Sequence, residues 1–329
     1  MKKRNKMPEI VNIEIMTKCN LKCRHCKLQY IKQSEGESLM SLSRFSSYIE
    51  KMEKIILNAN ELMFSSIEPL IHPNLFEMMD LVSKINPSMS FPIQSNGMFL
   101  NDEVIEGMKK RNVPWLSMAL DGFDQFSTGY FKSGTDFEKV VKNIKKLRLE
   151  MSPEVVIRTV FVSHKDNIDK LPSYVRFCKE LGIDAIDVNG LFCFNSEHVE
   201  SVLYSKEGNN KVEEIFNNAR QVASEVGIQI QFPQLKPIEI GCEWKRIFSV
   251  DENGDVSPCV LLAKKHPFYF LDSNTDGKTL HFGNIFETDP VDIWYEDKFV
   301  EFRNKIDCGN LPNECTLCAD GYGVICSNR

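Results

Sequence analysis

The chain has 329 residues, 42% of them apolar and 26% charged; this is the make-up of a globular protein with one large unit and a smaller one, not of a disordered chain. Its formal charge of −6 gives no sign of a nucleic-acid partner, and no run reaches the about 18 consecutive apolar residues a membrane span needs. The opening MKKRNKMPEI is basic but no apolar run of signal-peptide length follows it, so a cytoplasmic protein without membrane attachment is expected.

In chain order, short apolar runs alternate with longer stretches of helical period. The runs are VNIEIM at 11–16, ELMFSS at 61–66, SFPIQS at 90–95, WLSMAL at 115–120, EVVIRTVFV at 154–162 and AIDVNG at 185–190. Between them, stretches such as SLSRFSSYIEKMEKII, PNLFEMMDLVSKI and KLPSYVRFCKEL repeat apolar residues at i, i+3 or i+4. This rhythm predicts an α/β fold, a partial (β/α)6 TIM-like barrel with its chemistry at the C-terminal strand ends. The lysines of KVVKNIKKLR at 139–148 read as a solvated helix face. A further helical stretch precedes IQIQFP at 228–233. From Gly241 the chain becomes loop-rich, with a hairpin turn expected at ENGD, 252–255. The expected units are therefore a barrel, 1–235, and a small cysteine-rich domain, 236–329.

Nine of the eleven cysteines lie in the first 26 residues or after position 241, and in a reducing compartment such grouping points to metal or iron–sulfur binding rather than disulfides. Cys19, Cys23 and Cys26 follow the first strand, at the expected barrel mouth. Three thiolates leave one position of a four-iron cluster open to another ligand; zinc completed by His25 or His72 is the alternative. Farther on, Cys242 and Cys259 bracket the hairpin, which brings them together, and Cys315 and Cys318 have the spacing of a ligand pair. Four thiolates suit a closed cluster or a structural zinc, and Cys308 and Cys326 are alternates.

The CxxxCxxC of residues 19–26, on the loop after a first strand, resembles the signature of the radical S-adenosylmethionine superfamily. The resemblance implies a [4Fe–4S] cluster whose open iron chelates S-adenosylmethionine, cleavage to a 5′-deoxyadenosyl radical, and removal of a substrate hydrogen atom. It also implies an electron donor such as flavodoxin or ferredoxin, and it sets His25 near the adenine. In FSSIEPLIHP, 64–73, Glu68 and Pro69 match a Gly-Gly-Glu-Pro segment that receives the cofactor's amino group, while Ser66 and Ile67 replace the glycines. IQSNG at 93–97 resembles a loop near the nucleotide and marks Ser95 and Asn96. Leu-Asp-Gly at 120–122 marks Asp121 as a contact facing the mouth. Arg158 binds a carboxylate if it points inward and is an edge charge if it points outward.

CEWKRIFSVDENGDVSPC, FGNIFETDPVDIWYEDKFVEFR and CTLC resemble the auxiliary-cluster extension called SPASM, or its shorter twitch form, with Gly254 five residues before Cys259. The tail has six cysteines where the full array has seven, which implies one auxiliary [4Fe–4S] cluster; a second, incompletely ligated one is the alternative. The family's range makes modification of a peptide by epimerisation or cross-linking the expected reaction. Oxidation or epimerisation of a small-molecule alcohol or aminocyclitol is an alternative, and a non-catalytic zinc- or cluster-binding protein another. The first strand begins about ten residues in, so no separate leader-peptide-binding domain is expected before it. Cys193, just past the sixth strand, is either a hydrogen donor for epimerisation or a small buried residue, and Cys178 is packing.

Overall fold

The computed structural model describes residues 6–64, 68–129, 131–239 and 241–325, apart from the side chains of 32–35. Its strands in chain order are β1 (Ile10–Ile13), β2 (Lys22–Cys23), β3 (Glu61–Phe64), β4 (Ile93–Ser95), β5 (Trp115–Ala119), β6 (Lys132–Ser133), β7 (Val156–Ser163), β8 (Ala185–Gly190) and β9 (Gln229–Gln231). Then come β10 (Ile247–Val250), β11 (Asp255–Ser257), β12 (Phe268–Phe270), β13 (Ser273–Thr275) and β14 (Gly283–Asn284). Each of the six apolar runs contributes a strand (β1, β3, β4, β5, β7 and β8). The segment at 228–233 supplies one more, since β9 pairs parallel with β8.

The parallel strands form one arc. β4, β5, β7, β8 and β9 are neighbours in that order, β3 lies beside β1, and a parallel bridge from Glu61 to Ser90 joins the two sets. Helices cover the outside. Along β7, Ile157, Thr159 and Phe161 alternate onto that layer, with Thr159 Oγ1 3.9 Å from Cys178 Sγ and the Phe161 ring centroid 4.7 Å from that of Tyr174. Period-two alternation therefore turns Arg158, Val160 and Val162 to the barrel interior. Cys178 is fully buried packing, as expected. The helices are amphipathic and capped; Asn101, Asp136 and Asn209 each accept a backbone N–H of the first turn that follows.

The C-terminal chain joins the barrel's own sheet. β10 pairs in parallel with β1, Ile10 opposite Ile247 through Ile13 opposite Val250, and the buried Asn12 Nδ2 donates 2.8 Å to Ser249 Oγ. β11 returns antiparallel to β10 through a turn in which Gly254 has φ 94°. A side chain there would strike the Phe286 ring at 2.8 Å. Helix 297–307 sends Arg303 over Trp294 at 3.7 Å, while Trp294 Nε1 donates to Lys6 O at 2.9 Å, so both chain ends share one anchor. None of the described helices is long and apolar enough to cross a membrane.

The last described residues close on the end of β8, where Gly190 N donates to Ile325 O at 2.8 Å. A Cβ at position 190 would lie 2.0 Å from Val324 O, a backbone atom that can yield only by moving the tail. Gly190→Ala is expected to cost about 1–3 kcal/mol, the usual range for overpacking. A lower melting temperature with unchanged far-UV circular dichroism checks this, and an unchanged one refutes the contact.

Candidate active site

The cysteine loop is held by a two-strand clasp. β2 pairs antiparallel with β6, Cys23 opposite Lys132 and Lys22 opposite Ser133, and Arg24 N donates to Phe131 O at 2.8 Å. Leu21 N points at Cys19 Sγ from 3.4 Å and Cys26 N donates to Cys23 O at 3.2 Å, so local turns gather the three thiols. Burial pushes the Cys23 thiol up to about 12; Lys132 opposes the shift, and the neighbouring Cys26 and Cys19 add to it.

A buried chain of hydrogen bonds ties two strand ends, those of β3 and β4, to this loop. Glu68 is fully buried. Its Oε1 accepts from Ser95 Oγ at 2.9 Å and Leu70 N at 3.3 Å, and its Oε2 from Asn96 N at 2.7 Å. Asn96 Nδ2 then donates 2.8 Å to Asn20 Oδ1, between Cys19 and Leu21. Gly97, at φ 78°, supplies the left-handed turn that lets Asn96 face the loop. The Glu68 carboxylate is thus spent on holding Ser95 and Asn96, not presented to solvent. Ser66 and Ile67, the departures from the glycine pattern, lie outside the described residues.

Asp121 ends the neighbouring strand, buried, with Oδ2 2.8 Å from Lys132 Nζ and Oδ1 accepting Val162 N at 2.9 Å. Arg158 points inward, and Asp187 grips it twice, at 2.9 and 2.5 Å; its charge is neutralised within the barrel. Three imidazoles surround Phe131: His25 and His198 at 5.7 Å and His164 at 4.1 Å between ring centroids. Burial lowers His25 to about 4 and also lowers His164 and His198, leaving neutral rings. His164 Nδ1 accepts Asp166 N at 3.2 Å, which puts its proton on Nε2, and that buried Nε2 has no partner among the described residues. Cys193 borders the same apolar cluster as Phe131. Burial pushes its thiol up to about 12, so it stays S–H at neutral pH. His164, His198 and Lys132 were not singled out in the sequence; the signal for His164 was available, an imidazole directly after the β7 strand end.

The second thiol group also assembles. Cys242, Cys259 and Cys318 all stand near enough to Cys315 to raise its pKa. Cys259, Cys315 and Cys318 border a cavity of about 110 Å³ with Leu262 and Phe268. Cys308 is exposed after helix 297–307 and, among the described residues, enters no contact with these four; Cys326 lies outside the described residues. His72 is excluded as a ligand, because its Nε2 donates to Met40 O at 3.0 Å and its Nδ1 accepts Asn74 N at 3.1 Å.

Sulfur spacing bears on the choice between zinc and a cluster. Four thiolates about 2.3 Å from one zinc draw their sulfurs to roughly 3.8 Å of one another. Among the described residues, the group with ligand atoms all within 4.8 Å is Asp251, Asp255 and His281, and neither set of thiols is drawn that close. Burial pushes Cys318 up to about 12 and raises Cys242 and Cys259 as well. Thiolate ligation there requires an inserted positive charge.

Glu68 yields a pH test. Burial raises its carboxyl from the ordinary 4.5 to about 7, against the opposing bonds from Asn96, Ser95 and Leu70. The folded state therefore holds an extra proton between those values. Its contribution of roughly 3 kcal/mol is complete below the unfolded pKa and lost as pH rises through about 7. Glu68→Gln removes this titration and sets an amide N–H₂ against Asn96 N, costing about 1–3 kcal/mol. Chemical denaturation at several pH values should show a flatter profile for the variant over pH 4.5–7; parallel profiles would refute the assignment.

The model of the radical SAM superfamily matches residues 13–178, and that of an iron–sulfur cluster-binding domain, SPASM, matches residues 242–319. Among curated relatives is the tungsten-containing aldehyde ferredoxin oxidoreductase cofactor-modifying protein of Pyrococcus furiosus. It is 27% identical over 323 residues, covering 93% of this chain and 86% of the relative. The fold is shared with Streptococcus suis SuiB bound to precursor peptide SuiA, TM-score 0.65 at 15% identity, covering 98% of this chain and 71% of SuiB. It is shared also with anSMEcpe bound to AdoMet and Cp18Cys peptide, TM-score 0.65 at 19% identity, covering 96% and 87%. With the superfamily match spanning half of its length, this chain belongs to the radical SAM superfamily, as an enzyme of S-adenosylmethionine and [4Fe–4S] clusters that carries a SPASM domain.

Proposed function

We propose that this enzyme removes a hydrogen atom from a peptide and leaves it epimerised or cross-linked. One observation carries the peptide reading. A cavity of about 410 Å³ beside Cys193, Tyr204 and Tyr269 and one of about 490 Å³ beside Phe270 and Tyr322 share Lys206, Leu271 and Asp272. They adjoin through these three residues, which together with the two volumes suits a chain better than a compact molecule. The peptide complexes of SuiB and anSMEcpe, which share the fold, support it. The near full-length match to a cofactor-modifying protein favours a second reading, a compact small-molecule substrate in the inner cavity alone.

Cys19, Cys23 and Cys26 hold the cluster that binds S-adenosylmethionine, and Cys242, Cys259, Cys315 and Cys318 hold the auxiliary one; the division into units 1–235 and 236–329 follows these two sites. When bound, the first cluster and S-adenosylmethionine supply a 5′-deoxyadenosyl radical after one electron arrives from a flavodoxin- or ferredoxin-class donor in the cytoplasm. The chain's own residues do the rest. Asn96 fixes the cysteine loop through Asn20, and His25 lines the nucleotide's side of the mouth. The Asp121–Lys132 pair keeps that wall neutral. His164 Nε2–H offers a donor to a substrate carbonyl, and its satisfaction there recovers the cost of a buried unpaired group. Arg158 serves Asp187 and the barrel interior rather than the cofactor carboxylate. Cys193 S–H stands where it can return a hydrogen atom to the substrate.

Anaerobically reconstituted protein with dithionite and S-adenosylmethionine is expected to form 5′-deoxyadenosine. The Cys19, Cys23 and Cys26 to Ala variant should lose that product while keeping the auxiliary iron; nucleoside formed without the three thiols refutes the division of roles. With linear peptides as substrates, mass spectrometry in deuterated solvent distinguishes the outcomes. Epimerisation incorporates one deuteron, and cross-linking loses a hydrogen pair. Cys193→Ala should abolish deuteron incorporation without reducing 5′-deoxyadenosine, and unchanged incorporation removes Cys193 from the mechanism. Turnover of compact small molecules but no peptide would favour the second reading.

A further inference from the structure

A buried lysine links the two thiol sites. Lys27 directly follows Cys26, and its Nζ donates 2.6 Å to the carbonyl of Val260, the residue after Cys259. Burial lowers its pKa, Glu14, Cys259 and Cys26 act against that, and Lys264 adds to it. Behind it, Lys264 is sealed to 3% exposure and lies 3.2 Å from Glu14 Oε2 and 2.5 Å from Glu252 Oε1. Glu14 sits at the end of β1 and Glu252 in the β10–β11 turn. The same parallel pairing that adds β10 to the barrel therefore brings this quartet together. Buried lysines are rare unless paired. Here the pairing runs from the first cysteine loop into the second.

We infer that Lys27 is the contact through which the two cluster sites act on one another. Its ammonium stabilises an added electron at both, and its bond to Val260 O completes a bonded route from Cys26 to Cys259. The inference rests on the assignment of clusters to these thiols. In exchange between the sites, one cluster gives up the single electron the other gains, and no atom is transferred. A charge buried between two sites is weakly screened and acts on both at once. Glu14, Glu252 and Lys264 position the lysine.

Potentiometric titration followed by electron paramagnetic resonance tests this on the full, reconstituted chain. Lys27→Gln keeps an N–H donor for Val260 O and loses the charge; Lys27→Arg keeps the charge. In Lys27→Gln both midpoint potentials should fall, changing the oxidised-to-reduced ratio at a fixed poise about tenfold, which is about 59 mV for one electron. Lys27→Arg should restore both. Two clusters present with either potential unmoved in Lys27→Gln overturns the inference and leaves the enzyme assignment intact. Wild-type protein lacking two cluster signals overturns the cluster assignment instead. If Lys27→Gln fails to load the first cluster, the auxiliary potential in the Cys19, Cys23 and Cys26 to Ala background still decides. A fall on adding Lys27→Gln supports the link, and no change overturns it.

Discussion

The parallel pairing of β10 with β1 is the constraint on which the rest of the structure depends. It joins residues 237 positions apart, Ile10 and Ile247 to Ile13 and Val250, in one ladder. Ladder bonds fix register, and in a buried sheet a slip of one residue would turn every apolar side chain to the wrong face. The chain leaves β1 into the first cysteine loop and leaves β11 into Cys259. Both thiol sites are therefore hung from strands of a single sheet, β1 and β11 with β10 between them, and Lys27 spans the remaining gap.

Desolvation then sets the chemistry of what that sheet assembles. Several titratable groups at the mouth are buried and sit in their neutral or paired forms: His25 neutral, Cys193 protonated, Asp121 and Lys132 joined, Arg158 locked to Asp187. A radical demands such surroundings, because exposed donors and water would quench it before the substrate does. Among the described residues, a few buried polar atoms, His164 Nε2 among them, have no hydrogen-bond partner. Around them, Glu68 shows how much buried polarity the scaffold accepts in order to hold one loop. A single carboxylate organises two strand ends and, through Asn96, the turn that carries Cys19.

The strands and most helices were legible in the sequence because their periodicities are strong and local. Helical period alone did not reveal the break at Met52 that divides the stretch from Leu42 to Asn58 into two helices. Nor did the strand at 229–231 announce that it would extend the barrel, since three residues carry little pattern. The cysteine spacings were legible for a different reason. Ligand pairs two or three residues apart are set by local turns, and a hairpin brings its own ends together. Arg158 was ambiguous by sequence, because whether a strand residue faces in or out depends on the layers that cover it; the packing of Thr159 and Phe161 on the helices turned it inward.

By itself, then, the sequence determined the α/β architecture, the two thiol sets and the loop that carries the first of them, all properties of short stretches with local physical causes. Only the tertiary structure decided that the C-terminal hairpin extends the barrel sheet, that Glu68 serves Asn96, and that Lys27 meets Val260 across 233 residues. These are contacts between buried polar groups far apart in the chain. Nothing in local period or spacing encodes them. They exist because burial leaves each such group no partner but the one the sheet brings to it.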